Sequence, residues 1–310
     1  MNVLGDALLE VEAGQKRLAD DGDEGSDGGV HSEREWVTKV WAFGPRKDLT
    51  DGLIRLAGMQ TRQSSFCPPP FHPSAPLSGY FSLTSTRDLL AGDTGCHEWE
   101  AGLALAELVL SQRSEIAGRS CLELGCGAGA ASLAALLCGA RSVVCTDGDA
   151  LALQNCGRNL ARNGFEVANS RLDEALSGGA CGLPEGAFTW KMDWGCEVLP
   201  PCIAQGPDLL LGADLVYDTP SSYALFRCVK KILSSTPDRR DRALVLATTL
   251  RTPETLPRLE GAAREAGGLS LQRMGDWDAG CASRLWHVPQ LEAARPSIVF
   301  HRVVHLPPGA

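Results

Sequence analysis

The stretch that most constrains this chain is Cys121-Leu122-Glu123-Leu124-Gly125-Cys126-Gly127-Ala128-Gly129, followed by the run Ala130-Ala131-Ser132-Leu133-Ala134-Ala135-Leu136-Leu137. Apolar residues before the glycines read as a buried strand, and the Ala/Leu run after them as a helix packed hard against it. Glycines at 125 and 127 let the backbone turn sharply and leave room for a ligand where side chains would intrude. The helix then presents its free N–H groups to whatever lies above the turn. Gly125, Gly127 and Ala130 also fit a dinucleotide-binding spacing, so the turn alone does not choose a cofactor.

Around this turn, strand and helix patterns alternate. A helix is expected over 101–110, introduced by Thr94-Gly95-Cys96-His97-Glu98-Trp99-Glu100. Strands are expected at 119–124, 141–146, 188–192, 208–213, 243–248 and 297–304, with helices at 128–138, 150–163, 220–234 and 253–266 and a Gly-rich loop at 177–186. Such alternation predicts an α/β fold with a doubly wound, mostly parallel sheet covered on both faces, its ligands sitting at the carboxyl ends of the strands. Upstream, residues 18–31 are rich in Asp, Glu and Gly without a Lys or Arg before Glu33, a composition too polar to offset its ordering entropy and expected to be disordered. Apolar residues between Glu33 and Gly58 suggest one or two short helices. Prolines at 68–70, 73 and 76 mark an irregular connection, and Gly79 to Leu83 a short strand. The division expected is an N-terminal extension over 1–75 and a ligand-binding domain over 76–310.

A net charge of −9 argues against sequence-independent binding to nucleic acid or to an anionic membrane. No apolar run is long enough to span a bilayer, and the N-terminus lacks a secretory pattern. Twelve cysteines occur without a C-x-x-C pair or zinc spacing, several of them inside apolar runs. They are expected to be buried, reduced thiols of a cytoplasmic protein, with no metal bound.

Four acids, Glu123, Asp147, Asp193 and Asp214, fall at or near the ends of successive expected strands. Asp147 lies about twenty residues beyond the glycine turn, where a carboxylate can accept from both hydroxyls of a ribose; Asp149 beside it suits a helix cap. Glu123 separates the cofactor classes. A buried acid just before the turn is costly without a cation or strong donors, and it suits the ammonium and sulfonium of S-adenosylmethionine rather than a nicotinamide pyrophosphate. The alternative is a Glu123 satisfied by nearby backbone N–H groups. Trp194 after Asp193 offers a face for an adenine ring, with Asp193 near the exocyclic amine, or else is a core residue. Trp99 either covers the cofactor or staples the following helix.

These pieces, Thr94-Gly95 with Trp99-Glu100-Ala101, Glu123 through Gly129, Asp193-Trp194 and Gly212-Ala213-Asp214-Leu215-Val216-Tyr217, occur in the order that resembles eukaryotic seven-strand (class I) protein-lysine methyltransferases marked by an Asp-x-x-Tyr motif. Within that family, Ala247-Thr248-Thr249-Leu250-Arg251-Thr252-Pro253-Glu254-Thr255 is similar to the elongation factor 2 lysine methyltransferases. The resemblance covers about 76–305. It implies a seven-stranded Rossmann-like sheet and a donor pocket of Trp99, Gly125, Cys126, Gly127, Asp147, Trp194 and Ala213, to which the residue reading adds Glu123 and Asp193. It further implies that Asp214 and Tyr217 flank the acceptor. Asp214 would hold the incoming ammonium, and Tyr217 would wall the lysine channel or be ordinary core. The implied activity is methyl transfer from S-adenosylmethionine to a lysine of a protein substrate, elongation factor 2 first, by a monomer. Other methyl acceptors and a non-catalytic cofactor-binding scaffold are the alternatives. Gly195 and the Gly-rich loop before the third strand depart from the subfamily pattern.

Overall fold

Short apolar runs joined by helices can bury both faces only when they lie parallel under two helical layers, and the computed structural model has this arrangement. It describes residues 10–11, 36–45, 77, 79–86, 94–236, 238–239, 241–285 and 288–306. The elements begin with β1 (Glu10–Val11), β2 (Trp36–Pro45), β3 (Gly79–Thr86), α1 (Glu100–Ser111), α2 (Arg113–Ile116), β4 (Ser120–Leu124) and α3 (Ala130–Leu137). They continue with β5 (Ser142–Asp147), α4 (Ala150–Arg162), α5 (Asn169–Ser177), β6 (Gly186–Lys191), α6 (Pro201–Gln205), β7 (Leu209–Ala213) and α7 (Thr219–Ser234). The last are β8 (Ala243–Thr249), α8 (Thr255–Ala266), β9 (Leu269–Arg273), α9 (Trp277–Gly280), β10 (Ser283–Leu285), α10 (Pro289–Ala294) and β11 (Ile298–His305).

The main sheet has seven strands in the order β6-β5-β4-β7-β8-β11-β9. Strands β6 through β8 are parallel, and β11 runs antiparallel to both β8 and β9. The expected doubly wound, mostly parallel sheet is therefore present. Side chains alternate across it as a period of two demands. Cys121, Val143, Cys145, Leu211 and Ala247 join one apolar cluster with α1 and α3, while Leu122, Leu124, Val144, Leu210 and Leu246 join another with α7 and α8. The strand order reverses at β4, which places a crevice outside the carboxyl ends of β4 and β7.

One expectation is corrected. Residues 36–45 form a strand, not a helix. It pairs antiparallel with β3, setting Trp41 opposite Phe81, and with β10 and β1. Trp36, Val37, Val40 and Trp41 fit a helical spacing as well as an extended one. The β-branched and aromatic content, and partners more than thirty residues away, decide for the strand. This four-stranded sheet crosses the line drawn between 1–75 and 76–310. The acidic stretch 18–31, the apolar residues at 49–56 and the prolines at 68–76 lie outside the described residues. Helix α5 and strands β9 and β10 lie outside the expected elements, since α5 buries only Leu172 and β9 is half-exposed along its length.

Two polar devices hold the layers in place. Asn155 and Asn159 of α4 and Asn163 at its C-cap recur every four residues on one face and pair with the backbone of β3 as a neighbouring strand would. Asn159 Oδ1 accepts from Thr84 N at 2.8 Å, and its Nδ2 donates to Thr84 O at 3.0 Å and to Ala128 O at 2.9 Å. Asn163 does the same for Ser82, at 2.8 and 2.7 Å. The small sheet is thereby fastened to the glycine turn through one side chain. The second device is Glu107 on α1, which is fully buried. It accepts from Leu285 N and from both Arg295 Nη atoms, each at 2.7 Å, with Arg284 3.5 Å away. Asn159→Ala is expected to cost about 2–4 kcal/mol, because the Thr84 amide and the Ala128 carbonyl lose this buried partner at once, while Thr84 O keeps only Asn155. A denaturant titration should show the midpoint falling at an unchanged slope; an unshifted midpoint would refute this role.

Candidate functional site

The glycine turn between β4 and α3 needs its glycines for space as much as for conformation. Gly125 and Gly127 have φ of +59° and +52°, where L side chains are strained. A Cβ at Gly125 would come within 2.6 Å of Leu215 Cδ2 and 3.4 Å of Trp194, and one at Gly127 within 3.0 Å of Gly95 O. Leu215, Trp194 and the 94–99 segment therefore press directly on the turn. The turn is tied to β5 by Cys126 N donating to Thr146 O at 2.8 Å and by Gly127 N donating to Asp147 Oδ2 at 3.0 Å. Cys126 is buried. Contact with Cys156 opposes the effect of burial, but its thiol is still pushed up to about 12, so it is an inert wall of the turn.

Glu123 points to the α3 side of the sheet, where its Oε2 accepts from Ser132 N at 2.9 Å. Burial pushes its carboxyl up to about 7, against the Ser132 hydrogen bonds and with a contribution from Asp147. Asp147, at the end of β5, is also raised by burial, although the amides of Asp149 and Gly127 act the other way. Its Oδ1 accepts from Asp149 N at 3.0 Å. Among the described residues, neither Glu123 nor Asp147 forms an ion pair. Asp149 caps α4 through Leu151 N at 2.8 Å. The two acids thus stand beside the glycine turn with backbone donors but no counter-charge, an arrangement suited to a cationic ligand.

Past β6, Asp193 Oδ1 accepts from Gly195 N at 2.7 Å, a local turn, while the half-buried ring of Trp194 leans on Gly125. At the end of β7, Ala213 is followed by Asp214, whose φ of +52° is the one positive value outside glycine among the described residues. Aspartate tolerates this region better than most side chains, and here the fold holds it there. Asp214 N donates to Ala247 O at 2.9 Å. Its Oδ1 accepts from Thr249 N at 2.7 Å and its Oδ2 from Thr249 Oγ1 at 2.9 Å. Arg251 Nη2 reaches the same Oδ2 at 2.6 Å. The Arg251 guanidinium also lies over the ring of Trp99, 4.4 Å from its centroid. Trp99 is fixed by Nε1 donating to Thr94 O at 3.0 Å and by an edge contact with His97. Tyr217 is not core, being 67% exposed, and its carbonyl accepts from Arg258 at 3.1 Å.

The structure brings Glu123, Gly125, Cys126, Gly127, Asp147 and Trp194 together around the turn, and Asp214 and Trp99 together through Arg251. Sequence reasoning assigned no role to Ser132, Thr249, Arg251 or Arg258. Thr249 and Arg251 stand in the stretch that carried the subfamily resemblance, but only the parallel pairing of β8 with β7, with Ala247 opposite Ala213, sets them beside Asp214. Among the described residues no group of His, Cys, Asp or Glu could hold a metal ion, and no helix is long and apolar enough to cross a membrane.

A family model described as lysine methyltransferase matches residues 82–253, more than half of the chain and every strand that lines the crevice. The chain is 31% identical over 176 residues to the protein-lysine N-methyltransferase EEF2KMT of Bos taurus, a match covering 55% of this chain and 52% of that protein. It is 26% identical over 185 residues to EEF2KMT of Homo sapiens, covering 58% and 53%. It is also 31% identical over 147 residues to methyltransferase-like protein 22 of Mus musculus, covering 46% and 36%. The chain spans about half the length of the EEF2KMT relatives it matches. With the glycine turn, the acids at the strand ends and the Asp214-Leu215-Val216-Tyr217 segment all inside or bordering the matched region, the chain belongs to the lysine methyltransferase family.

Proposed function

We propose that this protein is a protein-lysine N-methyltransferase that uses S-adenosylmethionine as donor and acts on elongation factor 2. The observation that carries this reading is the pairing of two kinds of carboxylate on one sheet edge. Among the described residues, buried Glu123 and half-buried Asp147 stand beside the glycine turn without a counter-ion, and Asp214 is held rigidly at the neighbouring strand end. The family and the EEF2KMT relatives support the same substrate class.

The donor would be held by Gly125, Cys126 and Gly127 against the turn, with Asp147 toward its ribose, Glu123 on its cationic side, Trp194 and Asp193 beside its base, and Trp99 and Ala213 closing the rim. Bound there, S-adenosylmethionine supplies an already activated methyl group on a sulfonium. The chain's own task is alignment and supply of a neutral amine. A lysine with an ordinary pKa of about 10.4 arrives protonated. Trp99, Trp194 and Leu215 would shield it from water, which favours loss of the proton. Asp214 would attract the ammonium and hold the nitrogen in line. With Oδ1 and Oδ2 already accepting from Thr249 and Arg251, it is built for positioning rather than for taking the proton away. The exposed ring of Tyr217 would wall the entry. Among the described residues, eleven free thiols, nine of them buried, fit a reducing compartment such as the cytoplasm, and a monomer suffices for this chemistry.

Two outcomes test the reading. Asp214→Ala should lower methyl transfer to purified elongation factor 2 by roughly a hundredfold or more through lost alignment, while calorimetric affinity for S-adenosylmethionine stays within a few-fold. Retained turnover would remove Asp214 from the acceptor site. The second outcome concerns Glu123. Its folded carboxyl titrates near 7 against an ordinary value of 4.5, so the folded state binds that proton more tightly than the unfolded chain does. The associated stability is full below about pH 4.5 and is lost as pH rises through 7. Glu123→Gln should therefore exceed the donor-free wild type in melting temperature at pH 8, by up to about 3 kcal/mol of stability, and the gap should close toward pH 5. Saturating donor should recover part of the loss in wild type only. A gap independent of pH would show that Glu123 is not the strained acid.

A further inference from the structure

Resting on the reading of Asp214 as the acceptor carboxylate, we infer that Arg251 is a resident cation occupying the place of the substrate ammonium, so that the target lysine enters by displacing it. Three observations lead there. Arg251 Nη2 sits 2.6 Å from Asp214 Oδ2, the carboxylate oxygen that also accepts from Thr249 Oγ1. Its guanidinium covers the Trp99 ring at 4.4 Å, and so spans from the end of β7 to the segment that presses on the glycine turn. The two partners of this contact differ in burial. The Asp214 side chain is 11% exposed, whereas that of Arg251 is 46% exposed. The anion is therefore fixed in the wall of the site and the cation hangs over it from the solvent side.

A carboxylate held by a backbone amide, a hydroxyl and a guanidinium has little room for a second cation at the same oxygen. Thr249 is built into β8 and cannot leave without unpairing the strand. Arg251 follows β8 in an exposed loop and can swing away at the cost of one half-exposed ion pair and one stacking contact. Contacts of these kinds together amount to roughly a tenfold change in an equilibrium constant. Arg251 thus acts as a competitor for its own substrate seat. It disfavours cations that bring only charge, and admits a lysine whose surrounding protein surface supplies further contacts. It is a specificity-determining residue and not a catalytic one.

The test compares wild type, Arg251→Lys and Arg251→Ala. Asp214 keeps its Thr249 donors in every variant, so melting temperatures should agree within a few degrees. With purified elongation factor 2 and saturating S-adenosylmethionine, Arg251→Ala should lower the acceptor KM by about tenfold. Arg251→Lys should fall between, since an ammonium pairs with Asp214 but stacks less well on Trp99. Calorimetric donor affinity should stay within twofold. A KM that is unchanged or raised in Arg251→Ala, at unchanged donor affinity, would overturn the inference and make Arg251 a bystander or a substrate contact. A second readout does not depend on turnover. Butylammonium, a lysine side-chain surrogate, is titrated while indole fluorescence is followed, with Trp99→Phe identifying the Trp99 signal. It should bind Arg251→Ala about tenfold more tightly than wild type, and Asp214→Asn should lose the difference. Equal binding in wild type and Arg251→Ala would overturn the inference. Failure of the wild type to methylate elongation factor 2, together with the butylammonium difference, would reject the proposed substrate while leaving the gate intact.

Discussion

A buried carboxylate must be neutralised, paired or held by donors, and two of the buried glutamates of this fold, Glu107 and Glu123, meet that demand in opposite ways. Glu107 lies between α1 and the β10–α10 segment with Arg295 on both of its oxygens and Arg284 nearby. Its charge is matched, and its role ends with joining helix to strand. Glu123 has the amide of Ser132 and no cation among the described residues. The cost appears as a proton affinity raised by burial. Since Glu123 stands in the central strand just before the turn on which Leu215, Trp194 and the 94–99 segment press, the site is organised around an acid with no counter-charge among the described residues. A ligand that brings a positive centre to this turn relieves the cost. One that brings a pyrophosphate adds to it.

The same contrast explains how the turn is stabilised without that ligand. Gly127 N bonds Asp147, Cys126 N bonds β5, and the carbonyl of Ala128 is taken by Asn159. Asn159 also pairs with Thr84 in β3, so the small antiparallel sheet feeds directly into the geometry of the turn. The 94–99 segment closes the other side, its Gly95 carbonyl close enough to Gly127 that a side chain there would crowd it at 3.0 Å. Residues outside the main sheet therefore shape the cradle.

What could be read from the sequence follows the range of the interactions concerned. The strand–turn–helix at 120–137, the cap at Asp149 and the acids at strand ends depend on neighbours a few residues away, and their patterns are visible in a line of text. Residues 36–45 carry no decisive local pattern because Trp36, Val37, Val40 and Trp41 satisfy two periods at once, and only remote partners at 79–86 and 283–285 choose between them. Helix α5 offers a single buried residue, too little for a periodic signal. At the site, Asp214 stood out as a strand-end acid, but nothing local to it announces Thr249 and Arg251. They arrive by the register of β8 on β7. The exposure of Tyr217 was equally hidden, since Leu215 and Val216 beside it are buried.

Asp214 shows why that register matters for chemistry. A non-glycine residue at φ +52° carries backbone strain, and an exposed aspartate would escape it by relaxing toward the extended region. Here both ends of the residue are held. The amide is bound to Ala247 and the carboxylate to the backbone and hydroxyl of Thr249, two positions of the same strand. The strained turn brings the carboxylate to Thr249 at the end of β8, which holds it there. With Thr249 N on Oδ1 and Thr249 Oγ1 on Oδ2, the carboxylate keeps its direction. A group so constrained contributes by fixing where a cation may stand. With Trp99 facing it across Arg251, the cation that stands there is met by one anion and one aromatic face, which is the environment that distinguishes a lysine side chain from a neutral one.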